Sequence, residues 1–168
     1  RFCALCGYTL DELENFFAQH LENFVKSKGI DRNILIDDIR KWYNGYRFSS
    51  NEEQVYNPFS VLLLLDSKEF KNYWFATATP TFLIKLLEER NYYLPGLDHQ
   101  ILEEDDFSTY EIEDLKPEAL LFQTGYITIK NYWPESFQYK LGYPNYEVER
   151  SFLKHLFDKV SGVGIDKS

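Results

Sequence analysis

The sequence predicts a mainly α fold with small β elements, on three observations. Leu13, Phe17, Leu21 and Phe24 recur at helical spacing behind Thr9 and Glu12, which have capping-box spacing. Pro58 and Pro80 each follow a capping side chain, Asn57 and Thr79, and each precedes an apolar run. Near the C-terminal end, "YITIK" and "FQYKL" alternate apolar and polar residues over lengths suited to short strands. With 168 residues, 18% of them aromatic, the chain can bury roughly 70% of its unfolded surface and needs no metal or disulfide to fold.

The first helix is expected to run as one element from the Thr9 cap to Gly29, with His20 as a core or boundary residue. A second, from about Arg32 to Tyr43, turns Leu35, Ile39, Trp42 and Tyr43 to its apolar side and ends at "NG", where Gly45 supplies a positive φ. "YRF" and "QVY" then flank the polar insert "SSNEE", the pattern of a small hairpin or of two extended arms. "NPFSVLLLL" is a helix start, and "TPTFLIKLLEER" is another, joined by the aromatic connector "FKNYWFATAT". Residues 91–114 read as a solvated, charged connection ending in an extended segment. Glu103, Glu104, Asp105 and Asp106 are adjacent, without the alternating ligand spacing and glycine of a calcium loop, so no metal site is assigned.

"LKPEALLFQTG" reads as a helix closed by Gly125. A hairpin follows, Ile127 and Ile129 alternating with Thr128 and Lys130, then a turn at "NYWPES", then Phe137, Tyr139 and Leu141 alternating with Gln138 and Lys140. Asn145 caps a last helix carrying Val148, Phe152, Leu156 and Val160. Helix, hairpin, helix is the outline of a winged-helix-like unit. The expected division is a helical subdomain over 1–100, the winged-helix-like subdomain over 101–160 and a linker over 161–168.

Composition excludes several functions. A net charge of −9 repels phosphate backbones at long range, so nucleic acid is possible as a partner but not favoured; Lys130 and Lys140, on the hairpin, are the candidate contacts. No apolar run reaches membrane-spanning length and "RFCALCGYT" lacks the pattern of a secretory signal, so a cytoplasmic protein without membrane partners is expected. The absence of Met and the abrupt start point to a chain cut from a longer protein. Cys3 and Cys6 form a CxxC pair without further paired ligands, read as small buried thiols in a reducing compartment. Nucleophile elbow, HExxH and phosphate-cradling GxxxxGK[ST] loop are all missing, and no catalytic residue is assigned.

In order along the chain, "GYTLDEL", "KWYNGYRF", "VYNPFSVLLLL", "FKNYWFATATPTFLIKLL", "LLFQTGYITIK" and "LGYPNYEVERSFL" resemble the C-terminal part of bacterial AAA-ATPase-like proteins often fused to a PD-(D/E)XK-type nuclease domain. The resemblance implies a helical lid followed by the winged-helix-like unit. It also implies an upstream P-loop core that uses ATP with Mg, and a nuclease-like domain downstream. No cofactor belongs to this segment itself. By looser similarity to signalling ATPases, whose lid-helix proline approaches the nucleotide base, "YNPF" makes Tyr56, Asn57 and Pro58 the candidate nucleotide contacts. The alternatives are a DNA-binding module and a protein-interaction unit. The aromatic stretch from Trp42 to Phe59 is expected to act mainly as glue between helices, with "KWYNGYRF" and "FKNYWF" sharing one cluster.

Overall fold

The structure, a computed structural model, describes residues 6–74, 85, 100–107 and 116–160. It is mainly helical with a small antiparallel sheet. Helices α1 (Leu10–Phe16), α2 (Ala18–Lys28), α3 (Arg32–Tyr43) and α4 (Pro58–Ser67) precede strand β1 (Ile101–Glu103). Helix α5 (Pro117–Gln123), strands β2 (Thr128–Trp133) and β3 (Gln138–Gly142) and helix α6 (Tyr146–Val160) follow. The expected helix at Thr79–Pro80, the thiol of Cys3 and the tail after Val160 lie outside the described residues.

Local chemistry sets most helix starts. Thr9 and Glu12 form the expected box: Glu12 N donates to Thr9 Oγ1 at 3.2 Å, and Thr9 N to Glu12 Oε2 at 2.9 Å. Asp31 caps α3 through Asn33 N at 2.7 Å. At α4, Asn57 Oδ1 accepts from Phe59 N and Ser60 N, and Pro58 occupies the first helical position. Asn145 Oδ1 accepts from Val148 N in the first turn of α6.

The structure corrects the sequence reading in six places. The first helix is two, because Phe17 leaves helical geometry at φ −110°, ψ 17° and sets its ring edge-on to Tyr8 at 5.2 Å. Leu13, Leu21 and Phe24 still reach one core, while His20 is exposed beside Phe17. The acidic connection contains a strand, β1, and a 3-10 turn over Glu104–Phe107. Thr128 is buried rather than outward, since Arg47 N donates to its hydroxyl at 2.7 Å and that hydroxyl donates back to Arg47 O at 2.8 Å. The hairpin turn is shorter than expected, because β2 continues through Trp133 and Phe137 sits in the turn at φ +52°. Cys6 is an exposed thiol, not a buried one.

The sheet order is β1-β3-β2, with β3 central and both pairings antiparallel. Two cores result. One gathers α1 to α4 around Leu13, Leu35, Ile39, Tyr43, Tyr56 and Leu64. The other gathers α5, the sheet and α6 around Leu121, Ile127, Leu141, Val148 and Phe152, and it also takes Tyr46 and Val55. A short ribbon joins them: Tyr8 pairs with Tyr56, and Tyr46 with Val55, each through two backbone hydrogen bonds. Gly7 is required there, because a Cβ would stand 2.5 Å from Val55 Cγ2 and 2.6 Å from Tyr56 O.

Aromatic rings close the joint in two groups. Tyr43 stacks on Phe70 at 6.1 Å, and Trp42 lies 5.7 Å from Phe70 and edge-on to Tyr146 of α6 at 4.8 Å. Tyr46 instead belongs with Trp74 and Tyr126 in the second core. The expected single cluster is therefore split across the joint. Among the described residues, no helix is long and apolar enough to cross a membrane.

Candidate functional site

The joint between the cores opens into a cleft of about 380 Å³, lined by Cys6, Tyr46, Phe48, Asn57, Pro58, Phe59 and Trp74. Four stretches of chain meet here. The "NPF" start of α4 forms one wall, the ribbon residues Tyr46 and Phe48 another, and Trp74 a third. Phe48 and Phe59 are 40% and 42% exposed, so two aromatic side chains of the lining remain accessible.

Of the predicted nucleotide contacts, Asn57 and Pro58 line this cleft and Tyr56 does not. The Tyr56 ring is completely buried in the first core, and burial raises its hydroxyl pKa while nearby Arg40 opposes the rise. Asn57 Oδ1 is occupied by the first-turn amides of α4, and Val61 N donates to Asn57 O at 3.1 Å. Pro58 has no N–H. The helix start thus offers no unengaged amide for a phosphate, and helix-end anion binding needs such donors. What the cleft presents is mostly apolar: aromatic rings, a proline edge, the Cys6 sulfur and the Asn57 side chain. These residues fit a flat base or ring and do not fit a polyphosphate.

Glu147 stands directly behind the cleft wall that Trp74 forms. It is 0% exposed in the first turn of α6. Ser60 Oγ of α4 donates to its Oε2 at 2.8 Å, and Trp74 N donates to its Oε1 at 2.7 Å. Burial pushes its carboxyl up to about 7, against the lowering effect of the Ser60, Trp74 and Tyr73 hydrogen bonds. The neighbouring Tyr46 hydroxyl, raised by burial, faces Asn57, Asn145 and this carboxylate. It has no hydrogen bond of good geometry, and neither has Asn145 Nδ2. No local pattern in the sequence marks Glu147. An acidic residue in the first turn of a capped helix is ordinary surface chemistry, and only the packing of α4 and Trp74 over it makes it different.

The candidate nucleic-acid contacts are arranged less favourably. Lys130 is the extra residue where the β2–β3 register shifts, and its Nζ donates to Pro144 O at 3.1 Å. Lys140 sits on the central strand, opposite Asn131 on one side and Ile101 on the other. The two ammonium groups do not form part of the cleft. The acidic run ties back to the chain, with Glu103 N and Lys116 Nζ both donating to Asp106, whose carboxyl these bonds hold below its usual range against burial. Among the described residues, no group of three His, Cys, Asp or Glu side chains is placed to hold a metal ion.

No family model matches the chain, and no solved structure matches it. It is similar to the uncharacterized protein in the vnfD 5' region of Azotobacter chroococcum mcd 1, at 44% identity over 158 residues. That match covers 93% of this chain and 28% of the Azotobacter protein, so the chain spans a little over a quarter of that relative's length.

Proposed function

We propose that the chain is a non-catalytic lid and coupling segment of an AAA-ATPase-like bacterial protein of the cytoplasm. Its cleft face closes on the base of a nucleotide whose phosphates and Mg are held by an upstream P-loop core. The second core then passes that state to a downstream nuclease-like domain. The observation that supports this most is the position of Asn57 and Pro58: they line an open aromatic cleft at the joint between two cores, where a bound ring would touch both. Coupling requires two arrangements with different contacts to the ligand, and a joint is where such a difference costs least.

The test compares this chain alone with the full-length polypeptide that contains it. Calorimetry is expected to show no ATP binding by the chain alone and binding by the longer protein. Nucleotide should then slow hydrogen exchange over residues 55–61. ATP turnover by the chain alone, or no nucleotide effect on that exchange, overturns the reading.

One observation favours the DNA-binding alternative: the β1-β3-β2 order, with the hairpin leading into α6, suits a winged-helix-like unit. Its cations do not, because Lys130 is already engaged with Pro144 O and the chain carries −9 overall.

A further inference from the structure

The buried carboxylate behind the cleft has no role in the lid reading, and its geometry is unusual. Glu147 receives three donors from two stretches of chain: the Ser60 hydroxyl on α4, and the backbone of Tyr73 and the Trp74 amide in the segment after α4. Its own helix, α6, belongs to the second core, whereas Ser60 sits in the helix that closes the first. One side chain therefore links the two halves. The groups that face it are neutral: Tyr43 from α3, Tyr46 from the ribbon, Ser60 from α4, and Tyr73 and Trp74 from the following segment. Several cations of the same elements are engaged elsewhere. Lys41 and Arg150 lie over the Tyr146 ring, and Lys71 pairs with Glu69. Among the described residues, no Lys, Arg or His neutralises Glu147.

We propose that Glu147 is a proton-operated latch between the two halves of the chain. Protonated, its carboxylic acid donates to Ser60 Oγ while Trp74 N–H still donates to the other oxygen, so the node is neutral and both carboxyl oxygens keep a partner. Ionised, the same node confines a charge among neutral groups, and a hydrated opening of the joint relieves that cost. The Trp74 amide is anchored on the carboxylate and the Trp74 ring lines the cleft and lies 5.1 Å from Tyr126. Opening the latch thus shifts a cleft wall, so ring binding in the cleft and proton uptake favour the same closed arrangement. Every atom of the latch belongs to this chain, so the lid reading can fail without it.

The test labels the tryptophans with 15N and follows the Trp74 amide from pH 5.5 to 8.5, with the Trp133 amide of the hairpin as internal reference. The Trp74 amide proton is expected to titrate near neutral pH. Its protection from exchange, relative to Trp133, should fall by roughly tenfold or more as the carboxyl ionises. Glu147→Gln should abolish both changes. Ser60→Ala removes a partner from both forms, but the charge-assisted bond lost from the ionised carboxylate is the stronger, so the midpoint should move to higher pH, a readout that survives if the Gln variant does not fold. Relative protection that is constant across this range, a titration that persists in Glu147→Gln, or a midpoint unmoved by Ser60→Ala overturns the latch.

Discussion

At φ +106°, Gly45 turns the chain out of α3 and carries it against the loop before α6, where a Cβ would lie 2.1 Å from Pro144 O. The obstacle is backbone, not a movable side chain, and the dihedral is one that L residues rarely adopt. Both terms oppose a side chain, so Gly45→Ala should cost at least about 2 kcal/mol. Gly29 is the matched control: it closes α2 at φ +65° with nothing within 4 Å of a built Cβ. Gly29→Ala should cost only about 1 kcal/mol, from the left-handed conformation alone. Urea unfolding of the two variants checks the ranking, which depends on the contact between residues 45 and 144. Equal losses would place that contact in doubt.

Trp42 shows how one element is fastened to the next. It projects from α3 onto Phe70 and onto Tyr146, whose ring also has Lys41 and Arg150 over it. Because Trp42 is only half-buried, Trp42→Ala should cost about 2 kcal/mol rather than the 3–5 kcal/mol of a fully enclosed ring. Retained thermal stability in that variant would remove the glue role of the aromatic stretch. The elements legible in the sequence are those whose signals are local. Thr9 with Glu12, Asn57 with Pro58, and Asn145 announce helix starts, because a cap is chemistry between residues three apart. Strand β1 has no local signal, because its partner β3 is remote and its three residues, Ile101–Glu103, carry no strand period of their own. Phe17 broke a regular helical pattern for a ring contact with Tyr8, which periodicity does not register. Of the cleft, "NPF" was visible as a cap, whereas Cys6, Tyr46, Phe48 and Trp74 reach it from separate stretches that only the tertiary fold assembles.

For the whole molecule, the joint between the cores should leave a signature in the pH dependence of stability. The carboxyl of Glu147 rises from 4.5 to about 7 on folding. Below the unfolded value both states hold the proton, and the group contributes no pH dependence. Between 4.5 and about 7 the unfolded chain has released its proton and the folded chain retains it, so stability falls as pH rises. Above that window both states are ionised and the slope from this group vanishes, leaving a penalty of about 3 kcal/mol. Glu69 and Asp106, whose folded values are lowered, tilt the same curve the opposite way. Subtracting one curve from another removes these backgrounds. Glu147→Gln can keep the Trp74 bond through its carbonyl and donate to Ser60 Oγ through its amide, so it mimics the protonated node at every pH. The stability of the Gln variant relative to the wild type should therefore climb by about 3 kcal/mol between pH 4.5 and 8 and then level. Urea unfolding at a series of pH values measures that difference directly. A flat difference would mean that water already reaches Glu147 in the folded chain, and a falling one that a cation pairs with it.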